Sequence, residues 1–336
     1  MVDPNTWKDM KRITNIKTSS ISRDEDTDTL GSASFSITES VGECYIRVYL
    51  ITIQNGIREK HALGTCLVQT PSSTYNGKVR DVTMDAYTPL LELKEKLMPI
   101  GYFIEKNTNI MDRAYMLVRD NVRAPVIKPI CDKKLNDDFI AEVDETTIKF
   151  SRALIANAKY KLAVDELGRI SFVQDKDVSS LQPVWTYNDD NSSILYPELT
   201  MNHDLYGIPN VVEVVYGGEK VEVVNDDPNS PTSIVNRGRR IPHRVTNPGL
   251  PGYDTGDLEA QLIDYATVLL RELSTVEYTI SYTHGYCPVR LGDCVRLNYT
   301  RAGIIDVKAK VISQNIKCEP GCPVSEKAIF TTKLWG

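Results

Sequence analysis

Three runs of β-favouring residues, separated by Asn-Gly dipeptides, place the strongest constraint on the fold of this chain. The runs cover residues 44–52, 61–70 and 79–87, and the dipeptides are Asn55-Gly56 and Asn76-Gly77. Valine, isoleucine, threonine and tyrosine pack well on a pleated sheet, and Asn-Gly suits the tight turn of a β-hairpin. The pattern predicts an antiparallel sheet or barrel at the start of the chain.

Beyond this β region the apolar residues recur at helical spacing. Pro89 can begin a first helix within residues 88–98, because its fixed backbone angle suits the first turn. Four leucines follow it at near-helical spacing: Leu90, Leu91, Leu93 and Leu97. Two more helices are predicted, at residues 109–119 and 146–158. A hairpin is predicted after them, with strands at residues 160–164 and 169–173. This order indicates a small α+β domain.

The last third of the chain returns to strand patterns around one helix. Alternation in residues 276–282 puts four side chains on one face of a strand: Val276, Tyr278, Ile280 and Tyr282. Other strands are predicted at residues 209–216, 220–224, 294–299, 304–312 and 327–334. A helix is predicted from Leu258, with Thr255 or Asp257 as its N-cap. A loop is predicted at residues 186–193, and a long loop or protruding arm at residues 224–253, five of which are proline.

These patterns predict a mainly β protein with α+β insertions and several domains, since 336 residues exceed the usual size of a single core. We expect a first β domain, a sheet or barrel, at residues 1–95 and a small α+β domain at residues 96–200. A second β domain is expected at residues 201–336, with a loop and helix insertion at about residues 225–275; the family resemblance described below implies that both β domains are barrels. Because both ends are rich in strands, we expect the two β domains to share a fold.

Charge and hydropathy exclude some function classes. The net charge of −6 argues against a general nucleic-acid binder, which neutralises phosphates with clustered lysine and arginine. One basic run, residues 236–244, is interpreted as a solvated loop, with direct DNA contact as the alternative. No apolar run approaches the roughly 20 residues that span a bilayer, and the N-terminus lacks the apolar core of a secretion signal. The expectation is a protein made in a cytoplasm without a membrane anchor.

Residues with metal or catalytic chemistry form no recognisable motif. Four of the seven cysteines lie near the C-terminus: Cys287, Cys294, Cys318 and Cys322. We interpret them as buried thiols, and a zinc site or one disulfide is the alternative. The four histidines, His61, His203, His243 and His284, are interpreted as structural, with His284 near a turn. The acidic run at residues 24–28 lacks the glycine and final glutamate of a calcium loop and is predicted to be a solvated turn. No catalytic, cofactor-binding or metal-binding residue is predicted.

Eight segments together resemble a family, the hub proteins of phage tail tips and baseplates. They are residues 13–39, which are followed by residues 43–51 and 61–71, then residues 85–104, 150–173 and 208–218, the helix from Leu258, and residues 289–297. The resemblance implies two tube-type antiparallel β-barrels with smaller accessory domains, and a homotrimer whose six barrels match a sixfold tail tube and a threefold spike or fibre. It also implies contacts with tail tube or distal tail proteins and the tape measure protein, and a channel through which DNA passes without specific binding.

The resemblance leads to further expectations about place and partners. The protein is expected in the virion tail, assembled in the host cytoplasm, of a phage or a domesticated injection system. Residues 237–244 are then expected on the outside or at a subunit contact, paired with acids such as those at residues 24–28. Two alternatives stay open: a tail-associated cell-wall hydrolase with an unrecognised pair of carboxylates, and a receptor- or glycan-binding tail-tip module.

Overall fold

β-Strands in large antiparallel sheets form most of the regular structure and helices are few, so the predicted mainly β fold class is confirmed. The computed structural model of the chain describes residues 1–14, 16–38, 41–77, 79–190, 193–246 and 258–335. The predicted N-caps Thr255 and Asp257 lie outside these described residues.

The strands are β1 (Ile16–Asp24), β2 (Gly31–Ile37), β3 (Tyr45–Gln54), β4 (Ile57–Asn76), β5 (Val79–Tyr87), β6 (Phe103–Ile104), β7 (Phe139–Ile140), β8 (Tyr160–Val164), β9 (Ile170–Gln174), β10 (Trp185–Asn188), β11 (Leu195–His203), β12 (Val211–Tyr216), β13 (Glu219–Val224), β14 (Pro242–Thr246), β15 (Thr275–Gly285), β16 (Cys294–Tyr299), β17 (Ile304–Lys317) and β18 (Pro323–Lys333). The helices are α1 (Leu91–Lys94), α2 (Ile110–Arg119), α3 (Thr147–Ala156), α4 (Ile234–Arg237) and α5 (Leu258–Leu273).

Two compact units make up the chain. Unit 1 consists of Met1–Glu198 and Tyr282–Ala328, and unit 2 of Leu199–Ser281 and the C-terminal residues from Ile329. Strands β11, β15 and β18 contain residues of both units. The domain boundaries expected near residues 95 and 200 stay a prediction.

The sheet of unit 1 joins the two ends of the chain. Strand β1 pairs antiparallel with β2 on one side and with β17 on the other, which puts Ser20 opposite Lys317. The order continues from β2 through β5 and β4 to β3, and β18 lies beyond β17. Alternate residues of β2 are buried, among them Phe35 and Ile37, because successive side chains of a strand point to opposite faces. The predicted hairpins around Asn55-Gly56 and Asn76-Gly77 are confirmed as β3–β4 and β4–β5.

The α+β region of unit 1 has its own apolar core. Asn109 and Thr146 cap α2 and α3, their side-chain oxygens accepting the backbone N–H groups of Asp112 and Lys149. Phe150 of α3 is fully buried and meets Tyr102 and Phe139 edge to face, with ring centroids 5.4 and 4.9 Å apart. Helices α2 and α3 and the hairpin β8–β9 confirm the predictions for residues 109–173.

Two local predictions for unit 1 are wrong in part. The helix predicted within residues 88–98 is the single turn α1, because the backbone of Met98 donates to the carbonyl of Glu145 and leaves the helical path. Leu90 and Leu93 are buried as expected, but Leu97 is exposed. The loop predicted at residues 186–193 begins as strand β10, which pairs parallel with β16 and buries Tyr187.

Unit 2 contains a three-stranded sheet, β13-β12-β14, covered by α5. Leu262, Ala266 and Leu270 of the predicted helix pack on Val212 and Val214, so this helix is confirmed from Leu258. No helix of the described residues is long and apolar enough to cross a membrane.

The long loop or arm predicted at residues 224–253 is wrong in part, because residues 234–237 form α4 and residues 242–246 form β14. Residues 225–233 and 238–241 are loop and turn, and residues 247–253 lie outside the described residues. Strand β14 pairs parallel with β12, and the segment before it folds over a fully buried Asn225. The Asn225 amide donates to the hydroxyl of Ser230 at 2.9 Å and faces Thr232, which is also fully buried. Polar residues that satisfy one another's hydrogen bonds can be buried at little cost, and local composition does not distinguish them from a loop.

Candidate functional site

A cavity lies in unit 1, beside the hairpin β8–β9. It has a volume of about 290 Å³ and is lined by residues of β1, β2, β4, β8, β9 and the turn before β16. Its charged side chains are five cations and five anions: Arg23, Lys161, Lys176, Arg290 and Lys310, and Glu25, Asp165, Glu166, Asp175 and Asp293. Because the two signs of charge are equally numerous, we expect the cationic side chains of the cavity to pair with its anionic side chains.

Glu166, in the turn between β8 and β9, connects the hairpin to the sheet. Both of its carboxylate oxygens accept from Arg290, at 2.8 and 2.7 Å, a two-pronged geometry that strengthens the pair. Arg23 of β1 approaches the same carboxylate at 3.4 Å and also donates to the carbonyl of Leu63 at 2.7 Å. The side chains of Glu166 and Arg23 are each only 14% exposed, so water screens their contact little, whereas Arg290 is 58% exposed and its contact is screened more.

A second group of charges lies along the same cavity. Glu25 pairs with Lys161 and, at 3.5 Å, with Lys310, and Asp175 lies 3.3 Å from Lys161. Burial lowers the pKa of Lys161, but the hydrogen bond to Glu25 outweighs it and the net shift is upward. Burial and the neighbouring ammonium of Lys161 lower the pKa of Lys310. The acidic run is a turn, as predicted, but its Glu25 is a partner in this network and not solvated.

We expect Glu166→Gln to loosen the hairpin β8–β9. The amide cannot accept from two arginines as a carboxylate does, and hydrogen bonds to charged groups contribute about 1.5–3 kcal/mol. Backbone amides of residues 160–174 should exchange with deuterium roughly tenfold faster or more, as measured by mass spectrometry. Glu142→Gln is the matched control, because Glu142 also pairs with a cation, Lys149, but is 74% exposed. Unchanged exchange in Glu166→Gln would show that the carboxylate does not hold the hairpin.

A buried polar cluster lies elsewhere in unit 1, around His284 and Glu326. Both side chains are fully inaccessible to solvent, and the imidazole Nε2 lies 3.3 Å from a carboxylate oxygen of Glu326. The Glu326 carboxylate also accepts from the hydroxyl of Tyr282 and from the amide of Gln314 at 2.6 Å. Gln314 in turn accepts from Arg23 at 3.0 Å, so a continuous chain of hydrogen bonds joins this cluster to the cavity.

The contacts of His284 indicate that its imidazole is protonated. Nδ1 lies 2.6 Å from the carbonyl oxygen of Gly285, while Nε2 faces Glu326, so both ring nitrogens meet acceptors. Burial lowers the pKa of His284, but hydrogen bonds to Cys287 and Glu326 and the charge of Glu326 outweigh it and raise the pKa to about 9. Tyr187 completes the cluster, its hydroxyl lying 3.1 Å from Nε2.

Cys287, His284 and Glu326 together offer the residue types of a cysteine-hydrolase triad. The thiol sulfur lies 3.7 Å from Nδ1 of His284. The contact does not favour catalysis, because Nδ1 directs its proton to the carbonyl of Gly285 and Cys287 is only 4% exposed. A nucleophilic cysteine needs a base that can take its proton and a path for the substrate. The arrangement is therefore best explained as packing of a buried ion pair.

The remaining residues with possible chemistry are dispersed. All seven cysteines are free, and Cys287, Cys294 and Cys322 are buried as predicted, whereas Cys318 is partly exposed. In the described part of the chain, no three His, Cys, Asp or Glu side chains are grouped to hold a metal. His61 and His243 are exposed, and His203 stacks on Tyr278 with ring centroids 4.6 Å apart.

The basic run of unit 2 is tied to its own unit and is not simply a solvated loop. Arg237 donates to the carbonyls of Leu205 and Ile208, while Arg240 pairs with Glu222 and Arg244 with Glu213. The acids of residues 24–28 pair within unit 1, for example Asp28 with Lys94 at 2.9 Å. The expected pairing of the two runs between subunits stays a prediction.

Sequence reasoning missed the cluster of His284 and Glu326, although the signal is present. Continuing the alternation of Tyr278, Ile280 and Tyr282 by one step puts His284 on the buried face, and β15 does extend to Gly285. In β18, Glu326 occupies a buried position between Val324 and Ala328. A charged residue at a position where the alternation predicts an apolar one indicates a buried ion pair of this kind.

No family model matches the sequence, and no curated protein resembles it in sequence. Three solved structures are similar over nearly the whole chain. A tail protein from Neisseria meningitidis MC58 is 14% identical, with a TM-score of 0.61 and 95% and 94% of the two chains covered. The 43 kDa tail protein of prophage MuSo2 from Shewanella oneidensis is 11% identical, with a TM-score of 0.59 and 95% of each chain covered.

The third structure comes from a secretion system. This E. coli component of the type VI secretion system is described as structurally similar to the T4 bacteriophage tail proteins gp27 and gp5. It is 8% identical, with a TM-score of 0.52 and coverage of 97% of this chain and 76% of that chain. The resemblance predicted from sequence is confirmed at the level of fold: this chain has the fold of phage tail proteins and of a related secretion component.

Proposed function

We propose that the chain is a structural hub subunit of a phage tail tip or baseplate, or of a related injection machine. The observation that carries the proposal is the near-complete coverage of both chains in the comparison with two tail proteins. A match confined to one common β module would cover only part of each chain. Here the β sheet, the α+β region and unit 2 are all included.

The polar sites of the described residues support a structural role. Glu25, Glu166 and Asp175 are engaged with lysine and arginine across the cavity, and Glu326 with a buried histidine. Such contacts hold one segment against another. In the proposed role the subunit forms a trimer that adapts a sixfold tail tube to a threefold spike or fibre. DNA passes along the central channel without specific binding, consistent with the net charge of −6 per chain.

We expect the purified protein to form a threefold ring of about 113 kDa, three times the 37.8 kDa of the chain. The reason is that a hub must match a spike or fibre of threefold symmetry. Sedimentation velocity gives the mass, and class averages from electron microscopy give the symmetry. Binding to the tail tube is then tested by mixing this ring with a purified tail tube protein. A monomer at every concentration would contradict the trimeric hub.

One observation favours the alternative of a cell-wall hydrolase. Burial raises the pKa of Asp293, which lines the same cavity as the paired carboxylate of Glu166. Glycoside hydrolysis uses a carboxyl group of raised pKa as the acid and a second carboxylate close to it. The test is release of soluble fragments from purified peptidoglycan by the wild type and by Asp293→Asn. Release that the substitution abolishes would replace the hub proposal.

A further inference from the structure

The tip of the hairpin β3–β4 carries exposed isoleucines beside cations. Ile53 is 74% exposed, and Ile51 is also exposed. In the antiparallel register Ile53 lies opposite Arg58 and Ile51 opposite Lys60, and residues directly opposite each other share a face of the hairpin. We call these four residues the tip face. Lys60 already has a partner, Asp9 at 3.2 Å, so Arg58 supplies the main cation for a further contact.

A second exposed apolar surface lies on the α+β region, on the two-stranded ribbon β6–β7. Phe103 lies opposite Ile140, and Ile104 opposite Phe139. Ile104 and Phe139 pack into the core of the region, whereas Phe103 and Ile140 are 53% and 67% exposed. The outer face of the ribbon is therefore as apolar as its inner face, which is unusual for a surface that stays in water.

Neighbouring residues enlarge this surface. Leu97, Ile100 and Val143 are 59%, 95% and 80% exposed and lie in the segments that lead into and out of the ribbon. The backbone connects them, since Leu97 bridges to Thr146 and Ala141 donates to the carbonyl of Tyr102. We call Leu97, Ile100, Phe103, Ile140 and Val143 the ribbon patch.

The rim of the ribbon patch is more acidic than basic. Glu105 follows β6, and Glu142 and Asp144 follow β7, and all three are exposed. Asp137 and Asp138, which precede β7, are exposed as well. The nearby cations are Lys96, Lys106 and Lys149, the last of which pairs with Glu142. The tip face thus combines apolar side chains with an exposed arginine, and the ribbon patch combines apolar side chains with a surplus of carboxylates. Complementary charge around apolar centres favours mutual recognition.

We propose that the tip face of one copy of this chain docks on the ribbon patch of the next copy. The inference rests on the proposed hub function, and it names the surfaces that close the ring. Two different surfaces on each subunit make the contact heterologous, so that subunits join head to tail and form a ring where the rotation closes. The burial of Ile53 against Phe103 and Ile140 supplies the apolar centre, and Arg58 faces the acidic rim.

The test uses one substitution on each surface, in the full chain. Ile53→Asp and Ile140→Asp each put a carboxylate into the proposed apolar centre, and each should weaken trimer formation at least roughly thirtyfold, as loss of a central contact residue does. Ile305→Asp is the matched control, because Ile305 is 68% exposed in unit 1 but belongs to neither surface. Circular dichroism confirms that each variant is folded, as expected for substitutions at exposed sites.

A mixture of the two variants gives the sharper measurement. Each variant retains one intact surface, so Ile53→Asp offers a working ribbon patch and Ile140→Asp a working tip face. Sedimentation of the mixture should show a heterodimer of about 76 kDa, twice the 37.8 kDa chain, while each variant alone is a monomer. A symmetric contact between identical surfaces would give no such complementation.

The outcomes separate the two proposals. If the wild type is a trimer and either variant is a trimer too, the docking of tip face on ribbon patch is overturned and the hub is left intact. The same conclusion follows if both variants are monomers and their mixture is also monomeric. Loss of the trimer in Ile305→Asp as well would also overturn the docking, since the effect would not be specific to the surfaces. A wild type that is monomeric at every concentration would overturn the docking and the trimeric hub together.

Discussion

Replacing Glu326 with leucine is expected to lower the free energy of unfolding by about 3–5 kcal/mol at neutral pH, because it leaves the charge of His284 buried without a partner. Tyr282 and Gln314 lose the acceptor of their hydrogen bonds at the same time. Urea unfolding monitored by tryptophan fluorescence measures the change. This is the largest effect that we expect from a single side chain in unit 1.

Two controls isolate the buried pair. Glu319→Leu makes the same chemical change at an exposed turn position and should alter stability by less than about 0.5 kcal/mol. The double variant His284→Leu, Glu326→Leu removes both charges and should recover much of the loss, since apolar pairs often replace buried ion pairs at little cost. If Glu326→Leu stayed within about 1 kcal/mol of the wild type, the pair would not be ionised.

The stability of the wild type should fall by roughly 3 kcal/mol as the pH rises from 6.5 to 9. The pKa of His284 is about 9 in the folded chain, against 6.5 for an unperturbed histidine in the unfolded chain. A group whose pKa is raised on folding stabilises fully below its unfolded pKa, and this contribution is lost as the pH approaches the folded value. Each unit of separation corresponds to about 1.4 kcal/mol.

The same double variant provides the reference for this pH dependence. Subtracting its unfolding free energy from that of the wild type removes the contributions of other groups, such as the N-terminal amine, whose pKa is lowered by burial. Burial raises the pKa of Tyr187 and of Tyr282 above the ordinary value of a tyrosine, so these two neighbours of His284 do not titrate in this window. A difference that stayed constant between pH 6.5 and 9 would disprove the protonation of His284.

Local patterns in the sequence predicted the elements of this fold well. The runs at residues 44–87 became β3, β4 and β5 because alternating apolar side chains and Asn-Gly turns act within one hairpin. Helices α2 and α3 begin where Asn109 and Thr146 can cap them. These signals depend on neighbours in the chain, so one sequence suffices to find them.

Partners that are distant in the chain could not be predicted in this way. Nothing in β1 identifies β17 as its neighbour, and Glu166 of a hairpin turn gives no sign of Arg23 or Arg290. Likewise the unusual position of Glu326 in an alternating strand is visible, but its pairing with His284 depends on the order of strands in the sheet. The patterns themselves predicted the mainly β class; the resemblance to tail proteins added the expectation of two tube-type barrels and assigned no residues to a site.

The pairing of β1 with β17 has a consequence for how the protein is made. Ser20 and Lys317 are opposite each other, so the sheet of unit 1 closes only when the residues up to Lys317 have left the ribosome. Until then β1 presents an open edge, which is a template for wrong pairing with other nascent chains. Contacts between such distant residues also slow folding. A chain truncated before β17 cannot complete this sheet, which restricts assembly to subunits in which β17 has been synthesised.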